Sequence, residues 1–162
     1  MTDGSTRHGG ILTLDLATTS GWAYGHASAR LTRPAAFGAW NLGKGTSPAR
    51  WAALADQLGE HMSLLQPSLV VFEAPLPPQA QTQANIARLL WGLCTVAELI
   101  CHRRSIECRE QSAVQPRKTL IGKARPDKDE IVHWCRGRGL EITDHNAADA
   151  VVLWYFAAAL RS

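Results

Sequence analysis

The stretch "GILTLDLATTSGWAYG", residues 10–25, decides the fold. Ile11, Leu12, Leu14 and Leu16 belong in a buried strand, and Asp15 interrupts them. An ionised carboxylate in apolar surroundings is costly unless a cation or hydrogen-bond donors compensate it. "SGWAYG" (20–25) reads as a second strand and "AAFGAWNLG" (35–43) as a third, with a turn through "ASARLTRP" between them. Three strands so close together predict an antiparallel meander.

Beyond the meander the pattern changes period. "TSPARWAALADQLGEHMSLLQP" (46–67) predicts a helix, with Ser47 as its cap, Pro48 in its first turn, and Trp51, Leu54, Leu58, Met62 and Leu65 along one stripe. "SLVVFEAP" (68–75) is a short apolar strand, so strand, helix and strand suggest a parallel crossover. "LPPQAQ" (76–81) is a loop, 82–102 a long apolar helix, and "SIECRE" (105–110) a fifth strand. "PRKTLIGKARP" (116–126) reads as a basic connection with little regular structure. "DKDEIVHWCRGRG" (127–139) predicts a short helix with a capping box from Asp127 to Glu130, ending at Gly137 or Gly139. The final helix, about 145–160, is apolar nearly all round and should be buried. Residues 1–9 are polar and expected to be loose, leaving 10–162 as one domain.

Bulk composition sets wide bounds. The chain has 162 residues, 46% of them hydrophobic, and a formal net charge of +3, which suits a folded domain that permits nucleic-acid binding without demanding it. The four cysteines, Cys94, Cys101, Cys108 and Cys135, form no CxxC pair, which argues against zinc. Without a signal peptide or an apolar run long enough to span a membrane, the expected compartment is a reducing cytoplasm. Of the tryptophans, Trp91 is expected in the core, with packing across a dimer interface as the alternative, and Trp22 packed within the sheet, with stacking on a base as the alternative.

Three acids interrupt apolar sequence: Asp15 in the first strand, Glu73 ending the fourth, and Asp149 in the first turns of the last helix. Each alone has an ordinary structural reading, as a satisfied strand carboxylate, a residue leaving the sheet or a helix N-terminal charge. Taken together they suggest one site, because converging carboxylates repel unless cations join them. Hard oxygen ligands favour Mg²⁺ or Mn²⁺, and two such ions can clamp the oxygens of a phosphoryl transfer.

"LTLDLATTSGWAYG", "LVVFEAP" and "DHNAADAVVLW", in that order, resemble the RuvC-type Holliday-junction resolvases, especially the phage-type branch. The resemblance runs from about residue 11 to 158. It implies an α/β, RNase H-like fold: a five-stranded mixed sheet, the first three strands antiparallel, flanked by helices. It also implies a homodimer that cuts four-way DNA junctions with divalent metal and leaves 5′-phosphate and 3′-hydroxyl ends. By the same resemblance Asp15 matches the acid that contacts both ions, Glu73 the acid ending the fourth strand, and Asp149 the final acid. Asn146 falls where relatives carry Asp or His; an amide oxygen can ligate a metal but adds no charge. Asp144 and His145 are alternatives for this fourth position. Lys128 matches a basic residue near the scissile phosphate, with Arg117 or Lys118 as a second candidate. The loop "APLPPQ" lacks the aromatic wedge some relatives insert at a junction.

The expected function is therefore metal-dependent cleavage of branched DNA, with Asp15, Glu73, Asp149 and Asn146 holding two ions and Lys128 stabilising developing charge. Arg117, Lys118, Lys123, Arg125 and Lys128 are the expected phosphate contacts. Neither a nucleotide cofactor nor a membrane is expected, and the resemblance suggests a phage or prophage source. Two rivals differ in class. One is a junction-binding protein that keeps the fold without catalysis. The other is an ATP-binding protein of the actin and sugar-kinase type, whose first hairpin "DLATTSG" resembles but whose second domain a chain of this length does not supply.

Overall fold

The computed structural model describes residues 9–27, 33–77 and 83–161. Residues 1–8, 28–32, 78–82 and 162 lie outside the described residues, and with them most of the first turn and of the loop after β4.

Strands β1 (Ile11–Asp15), β2 (Thr19–Gly25) and β3 (Ala36–Asn41) form the antiparallel meander that the sequence predicts. Helix α1 (Ser47–Leu65) then leads to β4 (Leu69–Glu73), which lies parallel to β1. Helix α2 (Ala84–Arg103) leads to β5 (Glu107–Gln111), parallel to β4. Helices α3 (Val114–Ile121), α4 (Lys128–Arg136) and α5 (His145–Arg161) complete the chain. The sheet order is β3-β2-β1-β4-β5, a five-stranded mixed sheet of RNase H-like type.

Strand alternation decides which face each side chain takes. Leu12, Leu14, Val70 and Phe72 face α1 and α2, whose Leu54, Leu58, Leu89 and Leu93 close one core. Ile11, Leu69 and Val71 face the opposite way and pack with Ile131 and Val132 of α4 and Val151 and Trp154 of α5. The same period carries Asp15 and Glu73 to the α5 side, one step beyond the paired Leu14 and Phe72. Thr13 lies between Ile11 and Asp15, and its buried hydroxyl donates to the Ala150 carbonyl of α5 at 2.7 Å. That bond fixes the helix against the strand next to the acid.

Several expectations are corrected. The basic stretch 116–126 is partly helical, because Pro116 falls in the first turn of α3, where backbone N–H groups have no intrahelical partner to lose. Thr46, not Ser47, caps α1, accepting from the Ala49 N–H. Trp91 is 40% exposed on the outer face of α2, on the same side as exposed Leu99. Helix α2 is also long and apolar enough, by length and composition, to cross a membrane, contrary to the sequence expectation; its Leu89, Leu93, Cys94, Ala97 and Cys101 are buried in the core. The capping box of α4 forms between Asp127 and Glu130, and α5 is buried along most of its length.

Candidate active site

Parallel pairing of β1 and β4 brings their C-terminal acids to one end of the sheet, and α5 crosses the same face. The crossing depends on Gly21, which pairs with Asp15 in the β1–β2 ladder. A Cβ at position 21 would lie 1.9 Å from the Asn146 carbonyl oxygen, so only glycine lets the start of α5 approach the strand this closely. Asp144 caps α5 by accepting from the Ala147 N–H at 2.9 Å.

Arg117 of α3 reaches into the centre. Its Nη2 donates to Asp149 Oδ1 at 2.9 Å and to both Glu73 oxygens at 3.2 Å. All three side chains are mostly buried, with Asp149 13%, Glu73 19% and Arg117 21% exposed. Burial raises the Asp15 carboxyl well above the ordinary carboxylate range, and the fields of Glu73 and Asp149 raise it further against Arg117 and Lys128. Burial likewise pushes Glu73 up to about 7, with Arg117 opposing and Asp149 adding to the rise. Burial raises Asp149 too, against Arg117, Lys128 and His145. One guanidinium therefore leaves much of the carboxylate charge uncompensated.

As the side chains lie, no three acidic, His or Cys groups among the described residues form a ready cage for a metal ion, since Glu73 and Asp149 are turned onto Arg117. The donor set nonetheless fits a hard divalent ion: carboxylate oxygens in apolar surroundings that still need positive charge. Asp15, Glu73 and Arg117 line one cleft of about 670 Å³, together with Arg125 and the backbone leaving β4.

The remaining predicted residues fall in different places. Asn146 sits at the start of α5 with no side-chain hydrogen bond to the described residues. Asp144 is committed to its cap. His145 Nδ1 is buried without a partner among the described residues, and its Nε2 lies 4.0 Å from Asp129. Lys128 opens α4, near enough for its charge to act on Asp15 and Asp149. Lys118 and Arg125 are exposed, and exposed Lys123 is ion-paired with Glu130. Trp22 stacks on Trp40 at 6.1 Å, and the His61 ring abuts both at 4.8 Å, so Trp22 is held in the sheet.

Two features were absent from the sequence reading. The close approach at Gly21 had a signal only in the glycine itself, because its neighbour in space is distant in sequence. The bridging role of Arg117 had none beyond its charge.

No family model matches the chain. Among solved structures, RuvC of Thermus thermophilus is similar over 94% of this chain and 95% of its own, at TM-score 0.75 and 16% identity. The T. thermophilus RuvC in complex with a Holliday junction substrate matches over 95% and 96%, at TM-score 0.78 and 16% identity. The yeast mitochondrial Holliday junction resolvase Ydc2 matches over 94% of this chain and 81% of its own, at TM-score 0.57 and 10% identity. The sheet order, the flanking helices and these neighbours give the chain the RNase H-like fold of the RuvC-type Holliday-junction resolvases.

Proposed function

We propose that this chain is a divalent-metal-dependent endonuclease that cuts four-way DNA junctions as a homodimer. The observation that carries the reading is the convergence of Asp15, Glu73 and Asp149, from two parallel strand ends and one helix, beside a cleft lined by Arg117 and Arg125. A similar fold in complex with a Holliday junction substrate supports the choice of DNA.

In this reading Asp15, Glu73 and Asp149 hold two Mg²⁺ or Mn²⁺ ions, and Asn146 adds a neutral oxygen. The chemistry such ions supply when bound is activation of water and neutralisation of phosphate charge. The chain's own residues do the rest. Thr13 and Gly21 fix α5 so that Asp149 stays beside the strand acids. Lys128, at the start of α4, stabilises charge developing on the phosphate. Lys118, Lys123, Arg125 and Arg117 contact phosphates and set the register of the DNA. The exposed apolar side of α2, with Trp91 and Leu99, is the proposed dimer contact. A two-fold enzyme suits a junction with two equivalent scissile positions.

The test is incubation of the protein with a synthetic four-way junction and with linear duplex, in Mg²⁺, in Mn²⁺ and in EDTA. Paired, metal-dependent nicks in the junction alone are expected. Tight junction binding with no cleavage in either metal would return the non-catalytic alternative.

A further inference from the structure

Arg117 takes the position that the two acids require of a cation. A single guanidinium nitrogen joins Glu73 at the end of β4 to Asp149 on α5, two carboxylates from elements distant in sequence. Its helix is held at the C-terminal end: Leu120 and Ile121 pack on the α5-side core and the Leu120 carbonyl accepts from Trp134 Nε1 at 3.0 Å, while Arg117 sits one turn earlier, beside buried Pro116. The long Arg117 side chain lines the cleft and can swing about its own torsions while α3 stays packed. Its neighbour Lys118 is exposed, and Arg125 lines the same cleft, so a DNA backbone entering there meets positive charge before it meets the acids. A phosphate also offers a guanidinium the paired acceptor oxygens that it now finds on the carboxylates.

We propose that Arg117 is a tethered counterion that fills the cation position between Glu73 and Asp149 until a DNA phosphate draws it away, so that metal loading is coupled to DNA binding. This rests on the metal-dependent reading above. Arg117 and a divalent ion compete for the same carboxylate oxygens, and DNA and the ion both favour the released arm. By linkage, DNA then raises metal affinity and metal raises DNA affinity by the same factor.

The experiment measures Mn²⁺ binding to DNA-free protein by electron paramagnetic resonance, for wild type and for Arg117→Gln, Arg125→Gln and Asp15→Asn. Arg117→Gln should bind at least about tenfold more tightly than wild type, within the usual span of coupling between sites. Arg125→Gln, which removes a charge from the same cleft without breaking the bridge, should change affinity much less. An Arg117→Gln protein no tighter than wild type overturns the proposal, as does an equal gain in Arg125→Gln. Binding by wild type that is lost in Asp15→Asn, with Arg117→Gln unchanged, overturns the tethered counterion alone. No Mn²⁺ binding by any form, or binding that survives Asp15→Asn, overturns the metal reading with it. A variant-free measurement uses the side-chain NMR signals of Arg117, whose Nη protons should stay distinct while the bridge hinders rotation. Saturating Mg²⁺ should collapse them, and a four-way junction added in EDTA should shift them as the guanidinium exchanges carboxylate for phosphate oxygens. Signals unchanged by Mg²⁺ overturn the competition, and signals unchanged by the junction overturn the coupling.

Discussion

Gly21 and Asn146 touch so closely that no other residue fits: a Cβ at position 21 would stand 1.9 Å from the Asn146 carbonyl oxygen. Because Gly21 is the ladder partner of Asp15, this contact fixes the distance between α5 and the first acid. Gly21→Ala should push the start of α5 outward. A backbone clash is harder to relieve than ordinary overpacking, so the expected loss of stability is about 2 kcal/mol or more. Cleavage should fall further than stability explains, since Asp149 moves with the helix. Chemical denaturation beside a single-turnover assay checks both, and a stable, fully active Gly21→Ala protein would refute the placement.

Asp15→Asn, Glu73→Gln and Asp149→Asn should each abolish junction cutting while binding survives. Binding draws mainly on phosphate neutralisation by Lys and Arg, which these changes leave in place. Gel-shift affinity and cleavage rate measured on the same preparations separate the two effects. A Glu73→Gln protein that cuts at the wild-type rate would remove Glu73 from the site.

Glu73 also makes stability depend on pH. Burial holds its folded pKa near 7 against an ordinary 4.5, so the folded chain binds this proton more tightly than the unfolded chain. Stability of the metal-free protein should therefore fall as pH rises from about 4.5 to about 7, with the penalty complete above that. At 1.36 kcal/mol per unit the penalty reaches at most about 3 kcal/mol. Glu73→Gln should flatten this part of the profile and raise the metal-free melting temperature at pH 8, and Mg²⁺ should raise the wild-type value there. A wild-type profile that climbs between pH 5 and pH 7 in EDTA would contradict the assignment.

Trp91→Glu on α2 should convert a dimer to a monomer. Trp91 and Leu99 are both at least 40% exposed on one side of a helix whose other face is buried in the core. Sedimentation at micromolar concentration reads the outcome directly. A wild-type protein that is already monomeric, with and without junction DNA, would rule out the dimer.

The alternation in "ILTLDL" made the first strand and the direction of Asp15 legible, because strand period alone sets the face. The capping box at Asp127 and Glu130 was equally legible, since both partners lie within one helical turn. Helix α3 was hidden by Pro116, which punctuates a sequence but is tolerated in a first turn. Trp91 was misplaced although the helical period marks it, since the stripe through Leu89, Leu93 and Ala97 leaves it on the opposite side of α2. The Arg117 bridge was illegible for a different reason: its partners lie on β4 and α5, and no local pattern reports a contact across that separation.

Lys128 and Lys118 should separate catalysis from positioning. Both are exposed and basic, but only Lys128, at the start of α4, exerts its charge on Asp15 and Asp149. Lys118 lies on α3, beside the arginine that faces inward, where it is free to meet a phosphate. Lys123 is less free, since Glu130 already holds it in an ion pair. Lys118→Ala should therefore weaken junction binding and lower its salt slope by about one unit. Lys123→Ala should also weaken binding, by less, because a DNA contact there must first displace Glu130. Lys128→Ala should instead slow cleavage at saturating DNA, by about 10²-fold if it stabilises charge on the phosphate. Single-turnover rates beside a salt titration of affinity distinguish the three. A Lys128→Ala protein that cuts normally once saturated would place Lys128 among the binding residues and leave Arg117 as the basic side chain nearest the reaction.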